Sequence, residues 1–246
     1  MKPLSLITLN IERAKHLDLV LPFLERQQAD VICLQEVMRE DVGKIALAAR
    51  AQSYRFEPMG NILEEPGTPM GVAIFSTLQI NEAELLHYSG QRGAVPTVQL
   101  RDPATYNNVN AMVLFCGFEN GCVVGTTHFP WTPDGSASDK QRRDMRALLA
   151  GLQDMEEFVL CGDFNAPRGG EIYEMIAGKY KDNVPPQYKT SLDISLHRHG
   201  MDRAEELKDK MVDYIFSTEG YEVSDVNMVR GVSDHCALTA NAVRRT

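Results

Sequence analysis

The sequence predicts a mixed-sheet α/β or α+β fold, with residues 1–246 forming one domain. Three observations carry this expectation. A strand–helix–strand–helix unit opens the chain, hairpin-linked strands fill its middle, and a capped helix followed by more strands closes it. A chain of 246 residues can bury about 70–75% of its unfolded surface in one core. No internal repeat, low-complexity tract or linker interrupts it.

The elements follow in order. Leu4 to Asn10 reads as the first strand, and Asp18 can cap a helix that runs to about Gln28, with Pro22 tolerated near its first turn. Val31 to Glu36 is an apolar run ending in polar residues, the mark of a buried strand. Arg39 to Ala51 has helical periodicity. Ser53–Pro58, Gly71–Ser76 and Ala83–Ser89 read as strands, with a Gly, Pro and Glu-rich loop over Asn61–Pro69. Val95–Leu100, Val109–Gly117 and Cys122–Phe129 continue the series, and Asn120-Gly121 is a strong hairpin signal between the last two. Ser138 and Gln141 match a capping box that opens a helix to about Met155. Val159–Phe164 is a strand, Glu171–Ala177 a helix, and Asp182–His199 mostly loop. Val212–Ser217, Tyr221–Val229 and His235–Ala240 are the last strands.

Composition narrows the class. Hydrophobic residues make up 43% and charged residues 24%, ordinary for a globular protein. No apolar run approaches the roughly 18 residues of a membrane span. Met1 to Asn10 lacks the apolar region and cleavage site of a signal peptide, so a cytoplasmic location is expected. The five cysteines lie in apolar stretches without CxxC spacing, which fits buried, reduced thiols. A net charge of −9 argues against broad, nonspecific nucleic-acid binding but leaves a nucleic-acid enzyme open. Oligomeric state is not legible.

Six apolar strands share an odd habit: their ends carry residues suited to metal or phosphate. These are Asn10, Glu36, His128, the pair Asp163 and Asn165, Asp213, and the pair Asp234-His235. In Val159-Leu160-Cys161-Gly162-Asp163-Phe164-Asn165, period-two alternation points Asp163 and Asn165 one way and Phe164 the other. Each residue has an ordinary structural role too, as turn former, helix-start carboxylate or packed histidine. Ordinary roles do not account for six such ends in one chain. Converged, they form a site of four carboxylates, two amides and two histidines, with ligands beyond strand ends as in open α/β sheets. Oxygen donors of this kind suit Mg²⁺, with Mn²⁺ as the alternative, and Cys–His spacing for zinc is missing.

The ordered motifs Thr8-Leu9-Asn10-Ile11, Leu34-Gln35-Glu36-Val37, Thr127-His128-Phe129, Gly162-Asp163-Phe164-Asn165, Val212-Asp213-Tyr214-Ile215 and Ser233-Asp234-His235 cover essentially the whole chain. In that order they resemble the endonuclease/exonuclease/phosphatase superfamily, the deoxyribonuclease I-like fold. The resemblance implies a four-layer sandwich of two packed mixed β-sheets flanked by helices, and Mg²⁺-dependent hydrolysis of a phosphoester. It implies Glu36 as principal metal ligand, with Asp234 and Asn10 assisting at the metal or holding phosphate. Asp163 would orient or deprotonate the attacking water, and Asn165 would bond the phosphate or that water. His235 would contact phosphate with Asp213 fixing its ring, and His128 would be a second phosphate-side histidine.

Gln35-Glu36-Val37-Met38 departs from the Gln-Glu-Thr-Lys of exonuclease III-type enzymes and points away from abasic-site repair. Tyr188-Lys189-Thr190-Ser191-Leu192-Asp193 loosely resembles a Thr-x-Asp loop of the tyrosyl-DNA phosphodiesterase branch without its aromatic residue. Trp131, Arg168, His197 and Arg198 are the substrate-side candidates: Trp131 to stack on a base, Arg168 to clamp a phosphate. The expected activity is a phosphodiesterase or nuclease acting on a phosphoester, nucleic acid among the candidates. A small-molecule or lipid-headgroup phosphatase and a non-catalytic binding protein are the alternatives.

Overall fold

The computed structural model describes residues 3–64 and 68–245. Two mixed sheets pack face to face, and helices cover their outer faces. The first sheet contains β1 (Leu4–Asn10), β2 (Val31–Met38), β3 (Ser53–Ile62), β4 (Pro69–Ser76), β6 (Thr97–Val98), β12 (Tyr221–Val229) and β13 (Ala237–Arg244), in the order β12-β13-β1-β2-β4-β3-β6. The second contains β5 (Ile80–Ser89), β7 (Ala111–Phe118), β8 (Val123–His128), β9 (Val159–Asp163), β10 (Lys181–Asp182) and β11 (Asp213–Ser217), in the order β10-β11-β9-β8-β7-β5. This is the α/β sandwich that the motifs imply.

Alternation along each strand sorts its side chains between layers. Ile7, Leu9, Ile32 and Leu34 face outward, onto α1 (Leu17–Gln27) and α2 (Val42–Ala48). Leu6, Cys33, Val72 and Ile74 face inward, into the core between the sheets, where Leu114, Cys116 and Cys161 meet them. On the far side of the second sheet, α3 (Asp139–Leu152) buries Met145, Leu148 and Leu152, and α4 (Glu171–Ala177) buries Ile172 and Ile176. All five cysteines are buried and free. Among the described residues no helix is long and apolar enough to cross a membrane.

Most expected elements stand, several with reasons visible in the backbone. Ser138 and Gln141 make both bonds of the capping box. At the Asn120-Gly121 turn, Gly121 takes φ +78° and its N–H donates to the Phe118 carbonyl. Four expectations are corrected. Asp18 is not a cap: His16 precedes the helix, Asp18 sits exposed in the first turn, and Pro22 lies six residues in. Arg39–Ala51 divides into a 3-10 turn, Arg39–Asp41, and the short α2. The strand over Val95–Leu100 shrinks to the two-residue β6, because it pairs only with the tail of β3. Of the expected 61–69 loop, Asn61 and Ile62 extend β3, Pro69 starts β4, and residues 65–67 lie outside the described residues. The segment 182–199 is mostly loop, as expected, with Asp182 in β10 and one bridge, Leu192 to His235, and is followed by the short α5 (Ala204–Leu207).

Strand direction gathers the motif residues. β1 and β2 run parallel, and so do β8 and β9, so Asn10, Glu36, His128 and Asp163 lie toward C-terminal strand ends. β11 and β13 run antiparallel to those strands, so Asp213 and the Asp234-His235 approach to β13 arrive at the same edge from their N-terminal ends. Gln35 ties the sheets together just inside that edge, donating to Thr126 Oγ1 at 2.9 Å and Thr8 Oγ1 at 3.2 Å.

Gly162 permits the close β8–β9 approach beside Asp163. It takes φ +144°, and a Cβ there would stand 2.0 Å from the Thr127 carbonyl oxygen. Gly162→Ala is expected to cost about 2 kcal/mol or more of stability. Urea unfolding checks this, and an unchanged midpoint would contradict it.

Candidate active site

At the shared sheet edge lies a cleft of about 390 Å³. Its floor is built by the strand-end residues. Asn10 is buried, and its amide nitrogen donates to Glu36 Oε1 at 3.2 Å and Asp163 Oδ2 at 3.1 Å. Its amide oxygen accepts from the Glu12 N–H at 3.0 Å. Asn10 thus bridges a carboxylate from each sheet.

Glu36 reaches this position by breaking the strand rule. A regular β2 would send it after Leu34 onto the helix-packed face. Instead the β2–β4 register slips between Leu34 and Val37, and Glu36 takes φ +56°. The bulge turns its carboxylate toward the strand end, where Arg13 donates to Oε2 at 3.0 Å. Glu12, Arg13 and Asn165 also carry positive φ, at +45°, +62° and +47°. Non-glycine residues in that region concentrate strain, and strain gathers at functional sites.

Asp163 is the hub. Its Oδ2 lies 3.1 Å from Asn10 Nδ2, 3.5 Å from His128 Nε2 and 3.8 Å from His235 Nε2. Its Oδ1 accepts the Asn165 N–H at 2.8 Å. That Asx turn, rather than strand alternation, puts Asn165 in the cleft, because β9 ends at Asp163. Asn165 Nδ2 donates to the Phe129 carbonyl at 2.9 Å, and Phe164 packs behind on Phe216 and Tyr214.

His235 Nδ1 lies 2.7 Å from Asp213 Oδ2, both groups buried. Burial works against a charged ring, but Asp213 and Asp163 outweigh it and raise the His235 pKa well above the ordinary value. Asp234 stands nearby, where burial, reinforced by Glu12 and Glu36 against the pull of His235, pushes its pKa up to about 7. Glu12 is itself held by Lys15 at 2.9 Å and His16 at 3.0 Å. Glu36, Asp234 and Glu12 form an oxygen-rich, electrically crowded set that gains from a hard divalent cation. The donor chemistry therefore fits a hard divalent cation.

The other sequence candidates divide. Trp131, His197 and Arg198 line the cleft. Arg168 does not: its guanidinium donates to Asp182 at 2.7 Å and to the carbonyls of Val184, Pro185 and Tyr188, over the Tyr214 ring. It staples the 182–188 loop instead of clamping a phosphate. Ser191 and Asp193 emerge as supports of the site. Ser191 Oγ accepts the N–H groups of Val212 and Asp213, and the Ser191 carbonyl accepts that of Cys236. The Asp193 N–H donates to the Asp234 carbonyl at 2.7 Å. These bonds clamp the Asp213 and His235 strands in register. Their sequence trace was the Thr190–Asp193 loop. Glu12 and Arg13 were missed, although two charged residues directly after a strand-end amide are a usable signal.

The sequence matches the model of the Endonuclease/Exonuclease/phosphatase family over residues 7–235. No curated protein matches it significantly. Among solved structures it is similar to an endonuclease/exonuclease/phosphatase from Bacteroides vulgatus, with 16% identity, TM-score 0.73 and full coverage of both chains. It is similar to the human Nocturnin catalytic domain with bound sulfate, with 17% identity and TM-score 0.69 over 98% of this chain and 94% of that one. It is also similar to a mannosyl-6-phosphatase from Bacteroides thetaiotaomicron, with 14% identity and TM-score 0.64 over 98% and 99%.

His197 offers a test of these electrostatics. Burial, with the charge on His235 adding to it, brings its pKa down from 6.5 to about 4, so the ring is neutral at pH 7. An NMR pH titration is expected to find its midpoint well below 6.5, and His235→Gln should move that midpoint upward. An ordinary midpoint in the unaltered protein would contradict the packing of this ring against the cleft.

Proposed function

The chain belongs to the endonuclease/exonuclease/phosphatase family of phosphoester hydrolases, and from that membership we propose that it is a Mg²⁺-dependent phosphodiesterase in which water attacks phosphorus. One observation carries the reading. Asp163 Oδ2 sits among Asn10, His128 and His235 at 3.1, 3.5 and 3.8 Å, beside the Glu36–Asp234 carboxylates.

In this reading Glu36 and Asp234 hold Mg²⁺, and Asn10 keeps Glu36 and Asp163 apart and aligned. Mg²⁺ bound there supplies charge neutralisation and Lewis-acid stabilisation of phosphoryl oxygens. Asp163 orients the attacking water and accepts its proton. His128 and Asn165 hold phosphate oxygens. The charged His235 ring, fixed by Asp213, stabilises the negative charge that builds on them in the transition state. A diester carries one negative charge where a monoester carries up to two, and a floor of four carboxylates, Glu12, Glu36, Asp163 and Asp234, favours the diester.

The test is turnover of bis(p-nitrophenyl) phosphate against p-nitrophenyl phosphate, with Mg²⁺ and with EDTA. The diester is expected to be the better substrate, and EDTA to abolish its turnover. Glu36→Gln should raise the Mg²⁺ requirement and lower kcat. Asp163→Asn is expected to lower kcat by about 10²–10⁴-fold, as loss of a general base does. Full activity of Glu36→Gln at limiting Mg²⁺ would remove its metal role.

A second expectation concerns pH. The catalytic form has His235 protonated, so kcat should fall as pH rises through the elevated His235 pKa. Asp213→Asn removes the anion that holds this pKa up, while burial continues to press it down. The alkaline limb of the pH–kcat profile should therefore move to lower pH, with kcat at neutral pH down by roughly 10²-fold or more. An unshifted limb would show that Asp213 does not govern the ring's charge.

A further inference from the structure

Beside the polar floor, the cleft has a second wall of a different character. Met59, Ile62, Val98, Leu100, Tyr106 and Trp131 line it, with no charged group among them. The wall is deliberately supported by backbone pairing. The N–H groups of Asn61 and Leu63 donate to the Pro96 and Val98 carbonyls at 2.7 and 2.9 Å, and Asn110 N–H donates to the Met59 carbonyl at 2.8 Å. Asn107 holds the Trp131 carbonyl at 2.8 Å, and the Tyr106 and Trp131 rings lie 5.7 Å apart at 54°. The wall continues into the floor through Trp131, three residues after His128.

The cations at the rim do not form a track for a polyanion. Arg203 is paired with Glu206 at 2.6 Å, Arg13 with Glu36 at 3.0 Å, and the Lys210 ammonium is held by the Asp134 carbonyl at 2.7 Å. Arg198 and Lys210, the latter held only by a neutral carbonyl, remain, on a chain of net charge −9. Binding a nucleic-acid strand needs several cations free to neutralise phosphates. A nucleobase would also need polar partners at its edges, and this wall presents apolar side chains.

We propose that the cleft selects a small phosphoester whose ester group is a short alkyl or aryl alcohol, seated against the Met59–Trp131 wall. This rests on the hydrolase reading above and names its substrate class. A cleft of about 390 Å³ is of the size that encloses a drug-sized ligand, one phosphate and one compact apolar group together.

The test uses p-nitrophenyl phosphodiesters that share one leaving group and differ in the second ester: methyl, hexyl, phenyl and 5′-thymidyl. With Mg²⁺, kcat/KM for the hexyl and phenyl esters should exceed that for methyl by at least tenfold. Trp131→Ala and Leu100→Ser should each bring the hexyl-to-methyl ratio down toward one. Equal values for methyl and hexyl, or a thymidyl ester tenfold better than both apolar esters, would overturn the proposal. If no ester is turned over, the hydrolase reading fails, and the wall is judged separately by calorimetric titration of hexyl phosphate against methyl phosphate. Tighter binding of hexyl phosphate, weakened by Leu100→Ser, supports the proposal, and equal binding overturns it.

Discussion

One buried amide couples the two halves of this molecule at its working edge. Asn10 ends a strand of the first sheet, yet its nitrogen is shared between Glu36 of that sheet and Asp163 of the other. Two carboxylates brought this close repel, and burial strengthens the repulsion. An uncharged donor placed between them offsets part of that cost without cancelling the negative field. The two sheets must pack at the right distance and rotation for one side chain to reach both acids. The Gln35 bonds to Thr8 and Thr126, one layer deeper, hold the same spacing.

The electrostatic imbalance left over is the functional asset. Asp234 is pushed up to about 7, and His235 is held charged by Asp213 and Asp163, so the same small volume contains an acid crowded by burial and negative charge and a base that neighbouring anions keep protonated. In the proposed mechanism such opposed environments keep a cation-binding corner and a phosphate-stabilising corner a few ångströms apart. The backbone contributes as well. Glu12, Arg13, Glu36 and Asn165 all take positive φ, each a local conformational cost of order 1 kcal/mol or more that the packed sheets sustain. The strain aims side chains that a relaxed strand end would scatter.

In the proposed reading the cleft's two walls divide recognition from chemistry. The floor comes from the central strands of both sheets, whose positions are set by the core. The apolar wall comes from the end of β3, itself paired along β4, and from the 96–110 segment at the sheet edge, which a few backbone bonds hold onto β3. Chemistry on rigid central strands and selectivity on an edge addition is a physical division that lets one change without disturbing the other.

Much of this was legible in the sequence. Apolar runs ending in Asn10, Glu36, His128 and Asp163 needed only strand periodicity and the chemistry of the terminal residues to be read, and their order carried the family resemblance. β1, α4 and β12 have the bounds that local patterning predicts, and the Ser138 box is a purely local structure. Tertiary structure decided the rest. Arg168 looks in sequence like a phosphate clamp, and only the folded 182–188 loop, with Asp182 and three carbonyls around the guanidinium, commits it to another task. Glu36 faces the wrong way by strand alternation, and the β2 bulge that redirects it arises from pairing with β4. Ser191 and Asp193 matter only because their loop lies across β11 and the approach to β13. Sequence determines what a residue can do through its own chemistry and its near neighbours. Which of those capacities is used depends on partners distant along the chain, and no local pattern encodes them.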